Sequence, residues 1–106
     1  MIRKRADFLA ANGGRRASMP GFILLVRDRQ DRDPSMRVGF TVTKKIGGAV
    51  VRNRMKRRFR ALAREIVPLK GFAGSDHVMI GRARGIERDF ALLRSELTKA
   101  LDGLRK

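Results

Sequence analysis

Residues Thr41–Glu65 read TVTKKIGGAVVRNRMKRRFRALARE, and the fold turns on how the second half of that run is wound. At the α-helical increment of about 100° per residue, Val51, Met55, Phe59, Leu62 and Ile66 share one stripe. That is the mark of a helix lying on a core. Asn53, Lys56, Arg57, Arg60 and Arg64 fall on the opposite side, Arg54 and Arg58 on one flank, and Arg52 at the stripe's edge. A disordered basic tail has no reason to keep such apolar spacing. A solvated helix face interleaves acids with bases at i,i+4 for small attractions. Here like charges hold those spacings and repel one another. Patches of one positive sign are the electrostatic footprint of nucleic-acid binding, so the stretch reads as a helix anchored on one face and offered to RNA on the other.

Working outward, Lys44, Lys45, Gly47 and Gly48 turn the chain out of a strand and into that helix. Glycines let backbone approach a phosphate, and a helix N-terminus presents unpaired N–H groups to an anion. No GxxxxGK[ST] run occurs, so nucleotide hydrolysis is not indicated. In Arg37–Thr43, Val38, Phe40 and Val42 alternate with Arg37, Gly39, Thr41 and Thr43, a strand pattern. Phe22–Val26, after Pro20–Gly21, is a second strand, and the polar loop Asp28–Ser35 between the two predicts an antiparallel hairpin. Arg3–Asn12 predicts a short helix stopped by Gly13–Gly14. The basic helix is expected to end before Pro68. Gly71–Ser75 reads as a loop and His77–Ala83 as a third strand. Ile86, Phe90, Leu93, Leu97, Leu101 and Leu104 recur every three or four residues and predict a C-terminal amphipathic helix. The order α-β-β-α-β-α, with room for an extra short strand near residues 16–19, specifies an α+β protein: a two-layer α/β sandwich on a small mixed sheet.

Composition sets the frame. The chain has 106 residues, one domain spanning 1–106. It carries 26 Lys and Arg against 10 Asp and Glu, a formal charge of +16. A polyanionic partner follows, nucleic acid first and an anionic membrane surface second. The charge is uneven: Arg37–Lys70 holds eleven bases and the single acid Glu65, whereas Glu87–Lys106 holds five bases and four acids. Without cysteine there is neither a disulfide framework nor a thiolate metal site, which suits a reducing cytosol. Phe8–Ala11 is too short for a signal-peptide core and Phe22–Val26 far too short to span a bilayer. The expectation is a soluble cytoplasmic protein with no membrane partner.

Catalytic readings fare poorly. The one histidine, His77, stands beside Asp76 with no ligand-spaced His, Asp or Glu cluster, and Asp28, Asp31 and Asp33 lack the EF-hand pattern. No catalytic or metal-ligating residue is assigned to this chain. Phe40, Phe59, Phe72 and Phe90 read as core residues, while Phe8 and Phe22 stay open between core and an RNA cleft. A helix-turn-helix DNA binder is disfavoured, because strand and glycine turn precede the basic helix. A ribosomal-type RNA-binding protein or a general RNA chaperone shares the charge and size. It calls for basic extensions or a broad patch rather than one helix and its entry loop.

The same run resembles the signature of the bacterial ribonuclease P protein subunit: a strand, Lys-Lys, a glycine turn, Ala-Val, then Arg-Asn-Arg-x-Lys-Arg. RADFL near the start is similar to that family's first helix, PGFILLVR to its sheet strand and DHVMIGRARG to the strand after the basic helix. The resemblance covers nearly the whole chain. It implies a subunit that binds a large catalytic RNA and the 5′ leader of precursor tRNA. The Mg²⁺-dependent cleavage belongs to the RNA, with Mg²⁺ held mainly by the RNA and substrate phosphates. It also implies a left-handed β-α-β crossover, against the usual right-handed rule. Carried over, Lys44, Lys45, Arg52, Asn53, Arg54, Lys56, Arg57 and Arg60, with Arg64 on the same face, line the contact to the catalytic RNA. Phe8 and Phe22 stand in or beside the leader cleft. This chain departs from many members in having Ala11–Asn12 one turn after Phe8 and Leu25 where they place aromatics, and Gly48 where Asn is usual. With no Tyr or Trp, base stacking has fewer platforms here.

Overall fold

The computed structural model describes Ile2 and residues 4–105. Along the chain run α1 (Arg5–Ala11), β1 (Arg15–Ser18), β2 (Phe22–Asp28), β3 (Arg37–Thr41), α2 (Ala49–Lys70), β4 (Ser75–Gly81) and α3 (Phe90–Leu104), with a 3-10 turn at Ala83–Gly85. The order is therefore α-β-β-β-α-β-α, and β1 is the extra short strand for which the sequence left room.

The sheet order is β1-β2-β4-β3, with β1 and β4 antiparallel to β2 and β3 parallel to β4. The expected β2–β3 hairpin does not form. β4 lies between them, with Met79 opposite both Leu24 of β2 and Phe40 of β3. The reason is burial on both faces: six of the seven residues of β4 are buried, as suits a central strand. The loop after β2 must then cross the width of β4, and Arg29 braces it. Its guanidinium reaches the Asp33 and Ser35 carbonyls at 3.1 and 2.7 Å and Asp76 Oδ1 at 2.9 Å. Gln30 and Arg32 make the bend with φ of 58° and 67°, in the left-handed region that ordinary residues seldom adopt.

α2 crosses from β3 to β4 on one face of the sheet and buries Met55, Phe59, Leu62, Ala63, Ile66 and Val67. It does not stop before Pro68 but runs on to Lys70. Pro68 removes one donor to the preceding turn, yet Ile66 and Val67 are anchored in the core, and Gly71 N–H donates to the Val67 carbonyl at 2.7 Å. Beside α2, α3 buries Leu93, Leu97, Ala100 and Leu101 completely. It starts at Phe90 rather than Ile86, because Asp89 caps it by accepting from Ala91 N–H at 2.8 Å. Glu96, on its core-facing side, accepts from Gly21 N–H at 3.2 Å and from Arg88 Nε at 2.6 Å, pinning the β1–β2 turn.

Strand alternation divides the core. Phe22, Leu24, Val26, Phe40 and Met79 pack under α2 and α3. Ile2, Leu25 and Val78 pack with Ala11 and Phe8 on the α1 side. Gly39 makes the second cluster possible: a Cβ there would stand 2.7 Å from the Phe8 ring, so only glycine lets the ring lie on β3.

Candidate nucleic-acid interface

The outward face of α2 is where the sequence placed it. Asn53, Arg57, Arg60 and Arg64 are exposed, and Lys56 is half-buried by its stem. Together Val50, Asn53, Lys56, Arg57 and Arg60 bound a hollow of ≈490 Å³. Lys44 and Lys45 are exposed in the turn just ahead of the helix. Gly48 offers α2 no side-chain cap, and its first turn holds no acid. The helix N-terminus therefore leaves backbone donors free beside two lysines, a combination that favours anions.

The remaining cations of α2 separate by what they touch. Arg54 lies 3.5 Å from Glu87, with both side chains mostly exposed, a contact worth little. Arg52 is half-buried, and its Nε is enclosed without an acceptor among the described residues. Arg58 turns inward instead. It donates to the carbonyls of Ile86 and Arg88 and sits 5.8 Å from the Phe90 ring centre, tying α2 to the entrance of α3. Arg94 covers the same ring at 5.2 Å, and Arg15 and Arg105 enclose Phe72 at 4.5 and 4.9 Å. Phe72 and Phe90 are thus half-buried rings under guanidinium groups that pack against the edge of the core, whereas Phe40 and Phe59 are buried within it.

On the other face of the sheet, α1 leaves a cleft of ≈170 Å³ whose lining includes Phe8, Leu9, Asn12, Thr41 and Ile80. Phe8 stands in it as expected. Phe22 does not. Its ring is fully buried on the helix side of the sheet, 5.8 Å from Phe59 in an edge-to-face pair. Strand parity decides this: Phe22, Leu24 and Val26 face the helices, so Ile23 and Leu25 face α1. Thr41 and Ile80, which alternate with core residues on β3 and β4, went unnoticed as cleft walls. Their parity was readable once one neighbour on each strand was fixed as core.

Behind these surfaces the polar residues are spoken for. Asp76, fully buried, is held by Arg37 and Arg29. Burial alone pushes its carboxyl pKa up, but the hydrogen bonds from both guanidiniums prevail and hold it below the usual carboxylate value. His77 is buried, which lowers its pKa and keeps the ring neutral. Nε2 accepts from Phe72 N–H at 3.0 Å, which leaves Nδ1–H to donate to the Arg37 carbonyl at 3.2 Å. Both ring nitrogens are engaged, so His77 has no free acid–base function. Among the described residues no helix is long and apolar enough to cross a membrane.

Comparison with known proteins places this geometry. The family model for ribonuclease P matches residues 1–105. The ribonuclease P protein component of Erythrobacter litoralis is 59% identical over 106 residues, spanning 100% of this chain and 86% of that one. That of Caulobacter vibrioides (strain NA1000 / CB15N) is 46% identical, over 97% of this chain and 69% of its own. The RNase P protein of Thermotoga maritima superposes with a TM-score of 0.82 at 28% identity, covering 96% of this chain and 94% of that one. A Staphylococcus aureus RNase P protein gives 0.81 at 25% identity over 98% and 94%. Signature helix, mixed sheet and full-length similarity agree: the chain belongs to the bacterial ribonuclease P protein component family, a subunit of the ribonuclease P holoenzyme in tRNA processing.

Proposed function

We propose that this subunit grips the catalytic RNA with α2 and its entry turn and holds the single-stranded 5′ leader of precursor tRNA in the α1 cleft. The observation that carries the reading is the separation of two surfaces by one sheet. Lys44, Lys45, Arg52, Asn53, Arg54, Lys56, Arg57, Arg60 and Arg64 belong to one. The cleft of Phe8, Asn12, Thr41 and Ile80 is the other. Guanidinium and ammonium groups neutralise phosphates and release counterions. The cleft offers a leader one aromatic face, apolar walls and two short polar side chains, Asn12 and Thr41, suited to a flexible strand of mixed sequence.

The hydrolysis itself is assigned to the RNA. Among the described residues no three His, Cys, Asp or Glu side chains come together as a metal-ligand set. The cation is assigned to RNA and substrate phosphates. The chain's own contribution is binding and alignment, which lowers the barrier by holding the scissile phosphate where the RNA acts. Adding the protein to a bacterial ribonuclease P RNA with precursor tRNA at low Mg²⁺ tests this. Stimulated release of the 5′ leader is expected. Binding of RNA without stimulation would reassign the chain to general RNA binding.

A further inference from the structure

β3 is an edge strand, and its helix-facing side chains do not fill the space beneath the C-terminal half of α2. A groove of ≈500 Å³ opens there, with Met36, Val38, Val67 and Pro68 among its apolar walls and Arg60 and Arg64 as its only charged residues. An apolar pocket of this size with a few placed polar groups is the usual way to seat a small organic moiety. Neighbouring cations are occupied: Arg54 by Glu87 at 3.5 Å and Arg94 by Glu65 at 2.9 Å. Arg60 and Arg64 make no ion pair among the described residues. Arg60 also bounds the hollow on the basic face of α2, so the groove continues that face without a break.

The matching group is flat, largely apolar and flanked by negative charge. An unpaired nucleobase between two phosphates has this form, and guanidinium planes and apolar walls take splayed bases without reading their identity. We propose that the groove between β3 and α2 holds a nucleobase extruded from the RNA bound on α2, with Arg60 and Arg64 set against its flanking phosphates. The inference rests on the RNA-binding reading of α2 and adds to it a base-sized socket on the helix side of the sheet, on the opposite face from the α1 cleft.

The test footprints ribonuclease P RNA with the full chain. Hydroxyl radicals report the backbone, and dimethyl sulfate with a carbodiimide reports the base edges. The wild type is expected to protect backbone along α2 and, in addition, to shield one unpaired base. Val38→Phe fills the groove; it should re-expose that base and weaken binding about tenfold, leaving the backbone footprint in place. Pro68→Glu sets a carboxylate at the exposed end of the groove without disturbing the core, and should give the same result if Val38→Phe fails to fold. Unchanged base reactivity in both variants overturns the inference while the RNA reading stands. Absence of any backbone footprint in the wild type overturns the RNA reading as well. Loss of self-association in Val38→Phe with an unchanged footprint overturns it in favour of a second copy of this chain.

Discussion

Arg37 and Asp76 face each other across the parallel strands β3 and β4, and the guanidinium clasps both carboxylate oxygens, at 2.7 and 2.8 Å. Arg29 takes Oδ1 as well, at 2.9 Å. One buried carboxylate therefore fixes the edge strand and the loop that crosses β4. Asp76→Asn keeps the shape but removes the charge shared by two guanidiniums, leaving Arg37 with Asp7 at 3.5 Å and Arg29 with Asp31 at 3.0 Å. The loss should stay below the ~3–5 kcal/mol typical of a buried charge left unpaired. Denaturant melts should show that loss. Because the folded carboxyl sits below its unfolded value, the stabilisation is full above an unfolded pKa of about 3.9 and disappears as pH falls through the folded value. The variant should lack this acid-side transition.

His77 acts in a higher window. Its folded pKa lies below the unfolded value of about 6.5, so the unfolded chain binds the extra proton first. Stability from the neutral ring is full above that value and declines as pH drops towards the folded one. Melting temperature should fall as pH drops below about 6.5 in the wild type, and at least as far in Asp76→Asn, because the Asp76 charge supports the protonated ring. His77→Gln should flatten the decline. A decline that persists in this variant would assign it to another group.

Arg57 and Arg58 are adjacent in sequence but placed differently: Arg57 is exposed, and Arg58 turns onto the entrance of α3. Arg57→Ala should weaken RNA binding and lower the salt slope by about 0.7–0.9, the share of one phosphate. Its stability should stay within about 0.5 kcal/mol of wild type. Arg58→Ala should do the reverse, losing melting temperature because the Ile86 and Arg88 carbonyls and the Phe90 ring lose their partner. Paired thermal melts and binding isotherms at several salt concentrations separate the two.

Gly39→Val tests the α1 cleft. A Cβ at Gly39 already meets the Phe8 ring, and overpacking of this kind costs about 1–3 kcal/mol. The displaced α1 should erode the holoenzyme's preference for precursor tRNA over leaderless tRNA. Affinity for the catalytic RNA should stay the same. Binding of the two tRNA forms to the assembled holoenzyme gives the answer.

Much of this was legible beforehand because periodicity speaks directly about faces. The stripe from Met55 to Ile66 gave α2 its register, and the same geometry put Asn53, Arg57, Arg60 and Arg64 in solvent. Pairing was not legible. An all-apolar run such as FILLV fits burial on either face, so it hides which parity meets which helix, and Phe22 went to the wrong side of the sheet. The hairpin failed for a related reason: loop length says two strands could meet, while only the burial of β4 on both faces says a third must come between. Charge type was equally silent. Arg57 and Arg58 look alike in a list of residues, and only the carbonyls within reach of Arg58 make it structural.

The strand that both β2 and β3 pair with is the last of the four to be synthesised. Until Ser75–Gly81 has left the ribosome, β2 and β3 have bare edges towards each other, and the sheet beneath α2 is missing its middle. Domains ordinarily gain structure as their N-terminal parts emerge, but here distant pairings such as Phe22 with Gly81 must wait. The basic helix is translated before β4 and α3 can complete the surface that holds its apolar stripe down. A nascent chain therefore carries the charge of α2 ahead of the shape that β4 completes.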